Sequence, residues 1–280
     1  MGDVSSTTRR KKKLKHRLFV PPSSIRFIET DEPQVHFDRE RTHHIRNVLR
    51  LGQGTTITVF DNSGQEYECE LTECKPSHAR GKITRATSPR VESGIKVILA
   101  QALIKGNSFE RALTLCTELG CNRFVPLFTS RTVVKLRKDN ESERAKRWDK
   151  IVEQAASQSG RVRVPVVEQV MEFKDFLEKK HAGRKIILWE RGGSGQLRQI
   201  LASDEEPADT VVLLAGPEGG FEQAEVKQAV DAGFQIWGLG PRTLRAETTG
   251  AIAVSILQYV KGDYSSGGSS RITPSSSTIR

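Results

Sequence analysis

Two short apolar runs near the C-terminus, Val211–Ala215 and Gln235–Leu239, are each followed by a glycine-containing loop and then a helix-forming stretch. That repeated unit constrains the fold more than any other feature. A buried run of this length leading through a loop into a helix reads as one strand of a sheet covered on both faces. The same rhythm begins at about Ser93, with Lys96–Ala100, Phe124–Phe128 and Ile186–Trp189 as further strands. Asn107 or Ser108 can cap a helix whose apolar face is Phe109, Ala112, Leu113 and Cys116, with Gly120 as its stop. A second helix is expected from about Ser142 to Ser159, burying Ala145, Trp148, Val152 and Ala155. Strands alternating with helices imply an α/β domain with a parallel sheet.

The pattern before this is mostly β. Arg17–Val20 reads as a short strand, Thr55–Phe60 alternates, Asn62-Ser63-Gly64 makes a turn, and Glu66–Leu71 returns with alternation. Lys82–Ala86 adds another strand, and a helix around His43–Leu51 places Ile45, Val48 and Leu49 on one side. These elements suit a small barrel-like module. The expected divisions are a flexible basic arm over 1–15, the barrel over 16–90, the α/β domain over 91–261, and a flexible Ser/Gly-rich tail over 262–280.

The formal charge is +10, but residues 9–17 alone carry seven positive charges, leaving 10 − 7 = +3 for the rest. The basic balance therefore points only weakly to a polyanionic partner, and a solvated arm accounts for it equally well. Cys69, Cys74, Cys116 and Cys121 form no C-x-x-C pair, and no histidine stands at finger spacing, so no metal site is expected. They read as ordinary thiols of a cytoplasmic protein. No apolar run is long enough to span a bilayer, and no secretory leader is evident. Met1-Gly2 with Ser6 matches a myristoylation pattern too short to carry weight.

Ligands of open α/β sheets collect beyond the carboxyl ends of the strands. Two loops stand there: Gly216-Pro217-Glu218-Gly219-Gly220-Phe221, and Leu239-Gly240-Pro241-Arg242-Thr243-Leu244-Arg245-Ala246-Glu247-Thr248. The spacing excludes a G-x-x-x-x-G-K-[ST] phosphate loop, and no G-x-G-x-x-G opens a helix. As a pair, in this order, the two loops closely resemble the signature of the RsmE family of ribosomal RNA small-subunit uridine-N3 methyltransferases, within the SPOUT superfamily. Matching segments extend upstream through Ala102–Gly106, Thr117–Gly120, Pro126–Arg131, Glu153–Arg161 and Val164-Pro165. The sequence departs from the family pattern at Thr243, Thr249 and Glu222.

The resemblance implies a PUA-like β-barrel, a trefoil-knotted parallel-sheet methyltransferase domain, a homodimer, and small-subunit ribosomal RNA as partner. It implies S-adenosylmethionine as cofactor, held by Leu188, Trp189, Glu190, Leu214, Gly216, Glu218, Gly219, Gly220, Leu239, Gly240, Leu244 and Arg245. Backbone groups at Gly216 and Leu239 would read adenine and ribose, with Leu244 packed on the adenine. Methylating uracil N3 needs loss of a weakly acidic proton, so a cation near the base and a carboxylate to take the proton are wanted. Arg131, Arg161 and Glu247 are the catalytic candidates, with Arg245 beside them. Arg46, Arg50, Gln154, Gln158 and Arg163 are expected on RNA. Two plainer readings stay open: Arg245–Glu247 as a structural ion pair, and Gln154/Gln158 as a solvated face. A methyltransferase acting on a ribose hydroxyl, or an RNA-binding assembly protein without turnover, are the competing functions.

Overall fold

The computed structural model describes residues 16–26, 33–134, 141–191, 197, 201 and 209–264. The basic arm, and the tail after Tyr264, lie outside the described residues. The chain divides into two compact units, one formed by residues up to 61 with 65–87, the other by 62–64 with 88 onward.

The first unit is a six-stranded sheet in the order β1-β4-β5-β6-β3-β2. Its strands are β1 (Arg17–Phe19), β2 (Ile25–Arg26), β3 (Gln34–Phe37), β4 (Thr56–Phe60), β5 (Glu66–Cys74) and β6 (Ala79–Thr87). β1 runs parallel to β4, and the other neighbours are antiparallel. Alternation on β5 buries Tyr67, Cys69 and Leu71 against Val35, Ile57 and Ile83. The helix expected around His43 begins earlier, as α1 (Arg39–His43), and passes into a π-helical turn over His44–Val48. The Asp38 side chain caps α1, accepting from the Arg41 N–H at 2.8 Å. The π turn corrects one expectation: Ile45 is buried, but Val48 is 59% exposed. A wider turn rotates each following residue off the 3.6-residue stripe, so Val48 leaves the face that Ile45 keeps.

The second unit is a parallel sheet of seven strands: β7 (Lys96–Ala102), β8 (Arg123–Phe128), β9 (Val166–Val167), β10 (Met171–Glu172), β11 (Arg184–Leu188), β12 (Thr210–Ala215) and β13 (Gln235–Trp237). The order is β10-β8-β7-β12-β11-β13, with β9 also paired to β8. The described helices are α2 (Ser108–Glu118), α3 (Glu141–Ser159), α4 (Phe173–Glu178), α5 (Gln223–Asp231) and α6 (Ala246–Val260). They cover both faces. Val211, Leu213 and Ala215 of β12 join Phe109, Trp148 and Leu257 in one core, while Val212 and Leu214 join Phe173, Phe176 and Val226 in another. Successive strand residues point to opposite faces, so burial on both makes the run continuously apolar. On α3 the structure buries Trp148, Val152, Ala155 and Ala156 but leaves Ala145 exposed, because the buried stripe of the helix begins only at Trp148.

Candidate functional site

β12, β11 and β13 are consecutive neighbours, so the loops that follow them leave the same carboxyl edge of the sheet. Leu188 pairs with Trp237, and the Trp189 N–H donates to the Trp237 carbonyl at 3.1 Å. Beyond that bond, the backbone of Gly238–Leu244 makes no hydrogen bond to any described residue. Gly238 is buried, while Leu239, Gly240 and Leu244 are half-buried. Unspent donors and acceptors in a partly buried segment are open to solvent or to a polar ligand. Gly240 has φ +101° and Gly220 φ +66°, both with open space where a Cβ would stand. Here glycine serves the backbone conformation and leaves room beside it. These features fit a cofactor read by main-chain groups.

The loop after β12 is held from outside. Glu218 accepts from the Lys105 N–H at 2.8 Å, so this carboxylate ties the loop to the segment after β7. An Arg131 guanidinium nitrogen donates to the Gly219 carbonyl at 2.8 Å, and a Cβ on Gly219 would lie 3.3 Å from the Arg131 side chain. Glu225, buried in the first turn of α5, accepts from the Ser130 N–H at 2.8 Å and from the Glu222 N–H at 2.9 Å. Glu222 is thus part of a reciprocal cap with Glu225. The side chain of Gln101 on β7 reaches the Gly216 carbonyl at 3.1 Å.

The three catalytic candidates separate. Arg131 follows β8 at the carboxyl edge, its side chain 50% exposed. Glu247 lies in the first turn of α6, 8% exposed, with no hydrogen-bond or ion-pair partner among the described residues. Arg245, at the N-cap of that helix, is exposed and does not pair with Glu247. Arg161 is a correction. It is 4% exposed and bonds Glu92 at 2.7 Å, the Thr117 carbonyl at 3.0 Å and the Cys121 carbonyl at 2.6 Å. Cys121 precedes β8, at the amino edge of the sheet, where Asn122 bonds Val97. The length of β8, roughly 20 Å at strand rise, parts the two arginines. Arg161 is a structural residue, spent on Glu92 and two carbonyls.

Of the residues expected on RNA, Gln154 and Gln158 are exposed on one face of α3. Arg163 is exposed, with its guanidinium donating to the carbonyls of Asn62 and Ser63. Arg46 and Arg50 line a cleft of about 840 Å³ in the first unit, with Lys75, Arg80 and Glu73. Lys75, His78 and Arg80 surround the Glu73 carboxylate, and neither Arg46 nor Arg50 has an acidic partner among the described residues. Sequence reasoning missed Gln101 and Glu225. The signal for Gln101 was available, as a single amide inside an apolar strand run.

Both units are similar to known RNA methyltransferase domains. A family model described as an RNA methyltransferase domain matches residues 91–258, and one described as an RNA methyltransferase PUA domain matches residues 37–84. Ribosomal RNA small subunit methyltransferase E of Bacillus subtilis is 33% identical over 83% of this chain and 95% of the relative. The protein of that name from Synechocystis is 34% identical over 86% of this chain and 76% of the relative. Among solved structures, a methyltransferase from Legionella pneumophila in complex with S-adenosylmethionine superposes with a TM-score of 0.80 at 29% identity, covering 89% of this chain and 99% of that one. Ribosomal RNA small subunit methyltransferase E from Neisseria gonorrhoeae, also bound to S-adenosylmethionine, gives 0.78 at 28%, with the same coverage. The first unit is accordingly PUA-like and the second a SPOUT methyltransferase domain. With matched domains in both units and relatives aligned over most of their length, the chain belongs to the ribosomal RNA small subunit methyltransferase E family.

Proposed function

We propose that this protein transfers a methyl group from S-adenosylmethionine to N3 of a uridine in small-subunit ribosomal RNA. The observation that carries the reading is the convergence of three strand-end loops on one sheet edge, with main-chain groups of Gly238–Leu244 left unspent. The cofactor supplies an electrophilic methyl. Main-chain groups at Gly216 and Leu239 would hold its adenine and ribose, and Leu244 would pack on the ring. Leu188, Trp189, Glu190 and Leu214 would line the cofactor site, with the loop Glu218–Gly220, Gly240 and Arg245 at its border.

The neutral imide nitrogen of uracil is a poor nucleophile, so the chain must favour its anion. Arg131 supplies a guanidinium beside the loop, and Glu247, without a partner among the described residues, a carboxylate to take the proton. Arg46 and Arg50, with Gln154, Gln158 and Arg163, contact the RNA. The active form is a cytoplasmic homodimer with a knotted catalytic domain.

Single-turnover methylation at saturating RNA and cofactor, with the methyl located in the product, tests the reading. Arg131→Lys keeps the charge but loses the planar fork, and should slow transfer by roughly 10²-fold while RNA affinity holds. An unchanged saturated rate, or a methyl group on ribose, would overturn it. Gly220→Val forces a β-branched residue to φ +66° and should weaken binding of S-adenosylmethionine at least about tenfold. Wild-type protein that binds RNA but no S-adenosylmethionine would instead identify an assembly factor.

A further inference from the structure

Gln101 is a polar side chain in a position built for an apolar one. It sits near the end of β7, 1% exposed, paired in register with Ala215 of β12. Its amide nitrogen donates toward three carbonyls, Gly216 at 3.1 Å, Ala102 at 3.2 Å and Ala215 at 3.4 Å. Three oxygens around one end of the amide fix its orientation, since the opposite flip would set oxygen against oxygen. The amide oxygen then faces the other way, fully buried and without a donor among the described residues. It lies over Gly250 of α6, where a Cβ would stand 3.4 Å from it and 3.0 Å from Leu99.

An apolar side chain of the same volume would avoid that orphaned acceptor. What leucine could not do is hold the Gly216 carbonyl. We infer that Gln101 is a positioning residue for the methyl-donor site: it sets the Gly216 peptide of the cofactor loop and seats α6, which carries Glu247, against the same strand. The inference rests on the reading that the Gly216 loop holds S-adenosylmethionine. It acts through backbone, because the buried side chain cannot touch a ligand.

Two variants test it, with cofactor affinity measured by calorimetry without RNA. Gln101→Leu should weaken S-adenosylmethionine binding about tenfold. The melting temperature of the ligand-free protein should fall little, because losing the orphaned acceptor offsets losing the donor to the half-exposed Gly216 carbonyl. Gln101→Glu supplies a pH-dependent readout. Burial and three surrounding carbonyls raise the pKa of a carboxyl group placed there. Below that pKa the protonated acid donates to Gly216 and affinity is retained; as pH rises through it the carboxylate repels the carbonyls and affinity is lost. Wild-type affinity should stay flat over the same range, roughly pH 5.5 to 8.5.

Affinity of Gln101→Leu within twofold of wild type would overturn the inference. So would parallel losses of affinity and melting temperature, which would assign Gln101 to the fold. If the leucine variant does not fold, the glutamate variant decides alone, and a flat pH profile there sinks the proposal. Should Gly220→Val also leave affinity intact, the cofactor-loop reading itself fails. Loss in Gly220→Val alone removes only the role of Gln101.

Discussion

Arg131 and Arg161 carry the same guanidinium and both stand at element ends, yet their surroundings give them opposite uses. Arg161 donates to two carbonyls and to Glu92, whose carboxylate also accepts the N–H groups of Val162 and Arg163. Removing one partner of a pair this buried strands the other, so Arg161→Ala should cost about 3 kcal/mol in urea denaturation. Arg131→Ala, half-exposed, should cost less than about 1 kcal/mol. The thiols make a second residue-scale prediction. Burial pushes Cys69 up to about 12 and Cys121 up to about 11, and raises Cys116 as well, with the neighbouring Cys121 adding to it. A thiol raised in the fold stays neutral there while its unfolded counterpart ionises. Stability is therefore intact below the unfolded value of about 8.5 and falls as pH rises from there toward 11–12. Melting temperatures followed upward from neutral pH should decline above about pH 9, and half-buried Cys74 should be alkylated before the other three.

α6 is secured at both ends by contacts that its own sequence does not announce. At its start the close approach of Gly250 to Leu99 seats the helix on β7. At its end Gln258, fully buried, donates to the Leu119 carbonyl at 3.0 Å and accepts from the Ser93 hydroxyl at 2.6 Å. Gly120, which stops α2, faces the same amide, and a Cβ there would come within 2.6 Å of its nitrogen. Gly120→Ala adds that clash to a backbone held at φ +91° and should destabilise the protein by roughly 2 kcal/mol. Hydrogen exchange along Val254–Val260 should quicken at the same time; exchange unchanged in that helix would show that the latch is not what holds it. α5 is secured differently. The departure at Glu222, a poorer cap than serine, is offset by Glu225, which bonds the Glu222 N–H and reaches Ser130 as well.

For the whole molecule, net charge says less than its distribution. Half of the formal +10 comes from the arm, where six cations stand against Asp3 (6 − 1 = +5), whereas the cleft of the PUA-like unit presents four cations, Arg46, Arg50, Lys75 and Arg80, against the single carboxylate of Glu73. Arg50 adopts φ +54°, an unusual backbone for a residue with a side chain. If these arginines meet phosphate, Arg46→Ala and Arg50→Ala should each lower RNA affinity and flatten the salt dependence by about one unit of log–log slope. Affinity for S-adenosylmethionine should be untouched, so filter binding across salt with calorimetry as control separates RNA contact from loss of fold. Removing the arm should flatten the slope further, again without effect on the cofactor.

The sequence by itself determined the element types, the parallel sheet and the two glycine-containing loops at its carboxyl edge. These follow from short-range rules: side-chain periods of two and 3.6, buried strands reading as continuous apolar runs, and glycine where backbone must turn or stand clear. Those rules failed at Val48 and Ala145, where a π turn and the limit of the buried stripe removed apolar residues from cover. Only the tertiary structure decided which edge of the sheet each polar residue serves. Arg161 meets a carboxylate 69 positions away in sequence, and Gln101 a carbonyl 115 away. No local pattern encodes such pairings, because they are made when strand order brings distant loops to the same edge. Strand order is likewise why Arg131 lies against Gly219 while Arg161, in a motif matched just as well, is spent at the opposite edge.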